Sequence, residues 1–322
     1  MFKEPELFWK NFRLGTELQV SGTFIYNGLY VFDQMEHFYF EEQCFDFLYN
    51  IAVGFERLMK VAVILLEHKP GILQEDFEKT LITHNHLELI KRIKAKESIN
   101  LGKQHTLFLQ LLSDFYKSMR YNRYNLSSVF RPNQERHHLV EYLSEQLSIS
   151  ISAELSDATP NEKNIKKFIG KIVGKITTQL YDIIYKTAFS MNIYVYEIRS
   201  DSKAFKIFIA KQFTFEIERY IQKELLVYLL NGSIDTRHID FIKSIPALPF
   251  DMSDTSSYIE AILNIQKAID FEGELEEIEY EHPLTKERME QVNAIDTNIY
   301  FSEDYNFEDD NDEFDLDEDA VI

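Results

Sequence analysis

Cysteine, glycine and proline are all scarce in this chain of 322 residues. The single cysteine, Cys44, excludes an internal disulfide framework and a thiolate zinc cluster. Only 10 glycines and 7 prolines are present, which argues against a many-turned β-sandwich and against a collagen-like repeat. The sequence also lacks a glycine-rich phosphate loop, a G-x-S-x-G motif and an H-E-x-x-H motif. It therefore carries no strong catalytic motif.

Long apolar runs are absent as well. The longest, Val61 to Leu66 and Leu225 to Leu230, are far shorter than the roughly 20 residues that span a bilayer. The first residues, Met1 to Glu6, lack the apolar region of a signal peptide. Together with the single cysteine, these features predict a cytoplasmic protein without a membrane partner.

The negative charge of the chain is confined to one end. The formal net charge is −20, but residues 270–322 alone hold 21 acidic and two basic residues, which leaves a net charge of −1 on residues 1–269. A body this close to neutrality is compatible with nucleic-acid binding. We expect residues 271–322 to form an acidic, largely disordered tail. It either solubilises the chain or binds a basic surface, on this protein or on a basic protein partner.

Apolar residues recur at spacings of three and four along most of the chain, which predicts a mainly α-helical fold. The clearest helix covers 43–67, and its apolar seam consists of Cys44, Leu48, Ile51, Phe55, Leu58, Ala62 and Leu65. Asn85 and Glu88 predict the start of a second helix, because asparagine caps helix N-termini and glutamate three residues later completes a capping box. Further helices are expected over 106–119, 135–148, 164–189, 213–230 and 257–269.

Two segments are typical of β-hairpins instead. Asn27-Gly28 lies between the apolar runs 23–26 and 29–32, which indicates a hairpin turn, with helical packing as the competing interpretation. Residues 192–210 hold two apolar runs around a polar tetrapeptide, Arg199 to Ser202, and this pattern predicts a small hairpin with a four-residue loop.

The polar segment from Ser156 to Lys163, which contains Pro160, indicates a domain boundary. We divide the chain at this segment and where the composition shifts near either end. The resulting parts are an N-terminal extension (1–42), a helical bundle (43–155), a second helical region that includes the small hairpin (164–270) and the acidic tail (271–322).

Arginine, histidine and tyrosine concentrate between residues 115 and 138. The segment holds Tyr116, Arg120, Tyr121, Arg123, Tyr124, Arg131, Arg136, His137 and His138. Guanidinium groups bind phosphate bidentately, and tyrosine rings stack on bases. A neutral histidine that deprotonates a ribose 2′-OH, and an arginine that stabilises the phosphorane, suit RNA cleavage without a metal or cofactor. The competing interpretation is a basic helix end paired with local carboxylates.

Two further groups each have more than one interpretation. Lys163, Lys167, Lys171 and Lys175 lie four residues apart on a predicted helix, and this lysine stripe is either a solvated face or a surface that tracks nucleic-acid phosphates. His84 and His86 form an H-x-H pair without acidic or histidine ligands at a convincing spacing. We interpret them as polar residues at a helix start, and we predict no metal site.

Three segments resemble the HEPN superfamily, small helical domains named for nucleotide binding in higher eukaryotes and prokaryotes. They are Phe55-Glu56-Arg57-Leu58-Met59-Lys60, His84-Asn85-His86-Leu87-Glu88-Leu89-Ile90 and Phe115-Tyr116-Lys117-Ser118-Met119-Arg120-Tyr121. The resemblance covers residues 43–125. It implies a helical bundle, a homodimer and metal-independent endoribonuclease activity, with an R-x4-6-H motif at the dimer interface. Such proteins are frequent in phage-defence and toxin–antitoxin systems.

The resemblance places the motif arginine at Arg120, but Asn125 rather than histidine lies five positions later. The spacing is met by Arg131 and His137, where Pro132 is tolerated in a first helical turn. We therefore expect Arg120, Arg131 and His137 to be catalytic. The nucleic-acid-binding residues are predicted to be Tyr121, Arg123, Tyr124, Lys167, Lys171 and Lys175. The alternative is a non-catalytic interaction protein whose acidic tail binds a basic partner.

Overall fold

A computed structural model describes residues 5–69, 71–122, 124–130, 134–154, 156–233 and 236–296. These residues are organised in helices, turns and loops, and no β-strand occurs among them. The predicted mainly α-helical class is therefore confirmed. The described residues fall into two compact units, which are divided between Glu216 and Ile217. No helix within the described ranges combines the length and the apolarity needed to cross a membrane.

The first unit is an assembly of α-helices interrupted by two π-helical turns and one 3₁₀ turn. Its α-helices are α1 (Pro5–Phe8), α2 (Leu14–Gln34), α3 (Glu41–Glu67), α4 (Gln74–Thr80), α5 (His86–Lys94), α6 (Lys103–Asp114), α7 (Arg120–Asn122), α8 (Gln134–Leu147), α9 (Lys163–Ser190) and α10 (Lys203–Phe208). The π-helical turns are Trp9–Arg13 and Phe115–Met119, and the 3₁₀ turn is Leu126–Phe130. The helices predicted over 43–67, 135–148 and 164–189 are confirmed within two residues.

Helix α3 lies at the centre of this unit, packed against α2, α5, α6, α8 and α9. All seven residues of its predicted seam are at most 1% exposed, including Cys44 at 0%. Many residues outside this seam are also buried, among them Phe47, Val53, Met59 and Val63, as expected for a helix with several neighbours. Each fully buried leucine-sized side chain contributes about 1.5–3 kcal/mol to folding. Burial of α3 is thus the main stabilising feature of the unit.

The close approach of α2 to α3 depends on glycine. A Cβ atom on Gly54 would lie 2.7 Å from Ile25 Cγ1 and 3.1 Å from the backbone nitrogen of Ile25. The hydroxyl of Ser21 donates a hydrogen bond to the Gly54 carbonyl at 2.8 Å. Gly54 therefore lets the two helix backbones approach closely enough for a side chain of one to bond the backbone of the other.

Both predicted hairpins are wrong. Residues 23–32 lie within α2, where Gly28 faces Ile51 of α3: a Cβ atom on Gly28 would lie 2.7 Å from Ile51 Cγ1. Glycine serves helix packing at this position rather than a turn. In the second segment Ser202 caps α10 by accepting a hydrogen bond from the Phe205 N–H group. The tetrapeptide that resembled a hairpin loop therefore leads into a helix.

The division into two units differs from the predicted boundary at 156–163. Helix α9 lies in the first unit, because its apolar face packs against α3 and α6. That face includes Ile169, Ile172, Ile176 and Leu180, which are all at most 2% exposed. The predicted N-terminal extension likewise contains α2, the helix packed along α3, so it forms part of the same core.

The second unit contains α11 (Glu216–Asn231, whose first residue belongs to the first unit), α12 (Arg237–Ser244), α13 (Thr255–Leu263), α14 (Glu272–Glu281) and α15 (Lys286–Asn293). Part of the predicted tail is therefore helical, since α14 and α15 lie within 271–322. Glutamates in the first turn of α14 interact favourably with the positive end of the helix dipole. Residues 297–322 lie outside the described residues, so the predicted disorder of this segment stays a prediction.

Candidate active site

Residues that are far apart in the sequence meet around the ring of Tyr116. Glu56 lies on α3, His84 immediately precedes the N-cap of α5, and Tyr116 lies on the π-helical turn that leads to Arg120 on α7. Lys60 lies one helical turn after Glu56. We call these five residues the Tyr116 cluster. It unites residues of three sequence segments, 55–60, 84–90 and 115–121.

His84 is held by a buried carboxylate. Its Nδ1 lies 2.9 Å from Glu56 Oε2, and Lys60 Nζ lies 2.6 Å from Glu56 Oε1. Burial opposes ionisation of Glu56, but the hydrogen bonds from Lys60 and His84 outweigh it and lower the pKa of this carboxyl group. A carboxylate at Nδ1 favours the tautomer protonated there. The Nε2 of a neutral, half-exposed His84 is then available as a proton acceptor.

The position of His84 is fixed by the residues that begin α5. The side chain of Asn85 accepts hydrogen bonds from the N–H groups of Leu87 and Glu88, so the predicted N-cap is confirmed. His86 is fully buried, and its Nε2 lies 2.8 Å from the Ala52 carbonyl of α3. Burial lowers the pKa of His86 to about 4, despite that hydrogen bond. His86 is therefore neutral at pH 7 and anchors the segment to α3.

Tyr116 connects the histidine to the arginine. Its ring centroid lies 4.8 Å from that of His84, and the guanidinium carbon of Arg120 lies 3.7 Å from the same ring centroid. Arg120 also contacts the Tyr121 ring at 4.4 Å. The π-helical turn Phe115–Met119 widens the helix by one residue at this point, a distortion that is frequent at functional sites.

Of the residues predicted from sequence to bind nucleic acid, two tyrosines are exposed beside the Tyr116 cluster. Tyr121 is 56% exposed and Tyr124 is 88% exposed. Tyr121 contacts Arg120, and both tyrosines belong to the segment that follows the π-helical turn. Arg123 lies outside the described residues.

The predicted catalytic pair is described only in part, because Arg131 lies outside the described residues. His137 is exposed on α8, and its ring centroid lies 5.7 Å from that of His138. His138 in turn lies 3.4 Å from Glu141 Oε2 on the same helix. The contacts described for Arg120 are with Tyr116 and Tyr121, whereas those of His137 are within α8.

The lysine stripe lies along α9. Lys163 and Lys167 share one acceptor, Glu216 Oε1, at 3.2 and 3.6 Å. Lys171 and Lys175 are exposed on the following turns. Part of the like-charge repulsion along the helix is thus relieved by a carboxylate distant in sequence. Lys171 and Lys175 lie on later turns of α9 than the two lysines that Glu216 binds, and both are exposed.

Sequence reasoning missed the His84–Glu56 pair because the two residues are 28 positions apart. The local spacing around His84 and His86 holds no suitable acidic partner, so the pair was interpreted as part of a helix start. One signal was present: Glu56 is an acidic residue in the middle of a helix, between Phe55 and Leu58 of the apolar seam. A buried carboxylate needs a charged or hydrogen-bonding partner.

Comparison of the chain with protein-family models, with curated proteins and with solved structures finds no match in any of the three. The chemistry of the Tyr116 cluster is therefore the basis for assigning a function. In the part of the chain that the structure describes, no three His, Cys, Asp or Glu side chains are grouped so that they could hold a metal ion.

Proposed function

We propose that this protein binds RNA and cleaves it as a metal-independent endoribonuclease, with the Tyr116 cluster as its active site. One observation carries the proposal: a histidine held by a buried carboxylate and an arginine both lie against the ring of Tyr116. A base and a cation are the two groups that cleavage by a ribose 2′-OH requires.

In the proposed reaction His84 is the general base. Its Nε2 takes the proton of the 2′-OH, and the 2′-oxygen attacks the adjacent phosphorus. The bond from phosphorus to the 5′-oxygen breaks, and the leaving 5′-oxygen takes up a proton. Glu56 keeps its negative charge beside the imidazolium that forms and so stabilises it. Lys60 neutralises Glu56 before the reaction, which limits the repulsion between this carboxylate and the phosphate.

Arg120 stabilises the charge that develops on the phosphorane oxygens. Its guanidinium carbon is 3.7 Å from the Tyr116 ring centroid and 4.4 Å from that of Tyr121, so the group is held between two rings. A guanidinium that is fixed in orientation by two rings is suited to bind a phosphate oxygen.

The exposed tyrosines and lysines supply the proposed binding surface. Tyr121 and Tyr124 are positioned to stack on unpaired bases next to the Tyr116 cluster, and each stacked base contributes about 1–3 kcal/mol. Lys171 and Lys175 bind phosphates further along the strand. Both sets of contacts tolerate any sequence, so we propose no base preference.

The resemblance to the HEPN superfamily agrees with this proposal, and it supplies the biological setting that we propose, phage defence or a toxin–antitoxin system. In that setting the protein acts as a homodimer on RNA of the cell. Induced expression is then expected to slow bacterial growth, and expression of the His84→Ala variant is not.

The central test is cleavage of a fluorescently labelled single-stranded RNA in excess EDTA. We expect products with a 2′,3′-cyclic phosphate on one side of the cut and a 5′-hydroxyl on the other. His84→Ala and Arg120→Ala are each expected to lower kcat at least about 100-fold, the range for loss of a base or of a transition-state donor. Loss of cleavage upon chelation contradicts the proposal.

Two further variants make this test specific. His105→Ala changes a histidine of α6 outside the Tyr116 cluster, and it controls for general effects of removing an imidazole. His137→Ala decides between the two assignments of the base. Activity that is lost in His137→Ala and kept in His84→Ala restores the pair Arg131 and His137 that the sequence predicts.

The second candidate function is that of a non-catalytic interaction protein, with the acidic tail bound to a basic partner. Helix α11 favours it, because Leu225 and Tyr228 on one face and Leu230 on another are 54, 59 and 72% exposed. Exposed apolar surface of this kind is typical of interaction sites. Growth inhibition that persists in the His84→Ala variant supports this alternative.

A further inference from the structure

Tyr116 lies between the proposed base and the proposed phosphate-binding arginine of the Tyr116 cluster. Its ring contacts His84 on one hand and Arg120 on the other, and the ring of Tyr49 stacks near it at 6.2 Å. Its side chain is partly buried. We propose that Tyr116 is the general acid of the cluster and protonates the 5′-oxygen that leaves the phosphate. This inference rests on the proposed ribonuclease function.

The Arg120 guanidinium lies over the Tyr116 ring, with its carbon 3.7 Å from the ring centroid. An arginine that binds the scissile phosphate therefore holds that phosphate beside the phenol. The 5′-oxygen is a substituent of the same phosphorus atom, so it lies close to the hydroxyl of the ring that Arg120 covers.

The state of the phenol suits a proton donor. Burial raises the pKa of the Tyr116 hydroxyl above its usual value, and the Glu56 carboxylate raises it further, while Arg120 opposes the rise. Tyr116 is therefore protonated at neutral pH. The two lysines near Tyr116 are less suited to donate this proton, because Lys60 is bound to Glu56 and Lys117 is exposed on the π-helical turn.

The proposed step is balanced in atoms and charge. The bond between the 2′-oxygen and phosphorus forms while the bond between phosphorus and the 5′-oxygen breaks. The 2′-OH proton passes to His84 Nε2, and the Tyr116 proton passes to the 5′-oxygen. The imidazolium then returns its proton to the phenolate through solvent, so that both residues regain their starting states.

The test uses the full chain, the Tyr116→Phe variant and two substrates. One is an ordinary RNA, and the other carries sulfur in place of the bridging 5′-oxygen at the cleavage site. A thiolate leaves without protonation, so the sulfur substrate needs no acid. Tyr116→Phe keeps the ring that contacts His84 and Arg120, and Tyr49→Phe is a matched control that removes a neighbouring phenol.

We expect Tyr116→Phe to cleave ordinary RNA about 100-fold more slowly than the unmodified protein, the usual contribution of a general acid. It should cleave the sulfur substrate within about threefold of the unmodified rate, and it should bind a 2′-O-methyl RNA with unchanged affinity. An equal loss on both substrates means that the phenol only positions other groups, and overturns the inference. So does an undiminished rate on ordinary RNA.

Failure of the proposed function gives a different result. A folded, unmodified protein that cleaves neither substrate overturns the ribonuclease proposal, and this inference falls with it. A protein that cleaves ordinary RNA and loses that activity in His84→Ala, but not in Tyr116→Phe, overturns the inference about Tyr116 alone. Thermal melting of each variant shows whether it is folded.

Discussion

Glu56 and Lys60 form an ion pair at 2.6 Å that leaves the second carboxylate oxygen for His84. Lysine and glutamate are one helical turn apart on α3, with the glutamate side chain only 10% exposed. Because Lys60 supplies the counter-charge, Glu56 remains ionised without a protonated histidine. This arrangement places a fixed negative charge next to the imidazole, where it can stabilise the imidazolium that forms when His84 acts as a general base.

The Glu56→Gln variant is expected to lower kcat for RNA cleavage at least about tenfold, with KM within about threefold of the original. The amide cannot stabilise the imidazolium by charge, and its NH₂ group can favour the wrong tautomer of His84. Steady-state kinetics in EDTA measures both parameters. Glu67→Gln is the matched control, since Glu67 is another α3 glutamate in an ion pair, with Arg92 at 2.6 Å. Equal losses in both variants contradict a specific role for Glu56.

Gly54→Ala is expected to destabilise the first unit by about 1–3 kcal/mol, although alanine favours helix more than glycine does. The added methyl group meets Ile25 Cγ1 at 2.7 Å and the Ile25 backbone nitrogen at 3.1 Å, and a backbone atom cannot rotate away. Urea unfolding measures the change. A Cβ atom on Gly273 of α14 meets nothing within 4 Å, so Gly273→Ala should be neutral or slightly stabilising. An unchanged midpoint for Gly54→Ala means that α2 and α3 can separate without cost.

The stability of the fold should fall as the pH drops from 6.5 towards 4, because of His86. The pKa of His86 is about 4 in the fold and 6.5 in an exposed histidine, so the unfolded chain binds more protons between these values. The contribution is fully present above pH 6.5 and is lost as the pH falls through the window, by about 3 kcal/mol in all.

Urea unfolding at several pH values measures this slope. The His86→Gln variant keeps a donor for the Ala52 carbonyl and removes the titrating group, so its stability should vary less over the same window. Carboxyl groups with lowered pKa values act mainly below pH 4.5 and are separable from the histidine effect. Identical slopes in the two proteins rule out His86 as the source.

Removal of residues 302–322 is expected to tighten binding of a non-cleavable RNA at about 50 mM salt. The removed segment carries 11 acidic and no basic residues, and Lys171 and Lys175 are exposed on α9. If the tail competes with RNA for these lysines, the difference in affinity should shrink as salt rises, since screening weakens contacts between exposed charges. Equal affinities of the two chains at low salt mean that the tail does not act on this surface.

Local signals in the sequence were sufficient for five of the ten α-helices of the first unit: α3, α5, α6, α8 and α9. The seam from Cys44 to Leu65, the cap at Asn85 and the apolar face of α9 each depend on residues within a few turns of one another. Such patterns predict helix type and burial because side chains three and four positions apart share a face. The same patterns do not say which helices are neighbours.

Two kinds of feature were not predictable in this way. The local sequence around Gly28 fits a hairpin turn as well as a helix crossing. Only the contact of Gly28 with Ile51 of α3 distinguishes the two structures. The pairing of His84 with Glu56 likewise requires the packing of α5 on α3. Both are properties of the tertiary fold, so a single sequence read locally gave a hairpin in one case and a simple helix start in the other.

Because Cys44 is buried, the rate at which its thiol is chemically labelled measures opening of the core. Burial raises the pKa of its thiol to about 12, so the folded chain presents almost no thiolate to an alkylating reagent. Because Cys44 is the only cysteine, every modified molecule has exposed this one site on α3. The rate of labelling therefore reports how often the central helix of the first unit loses its cover, without any engineered probe.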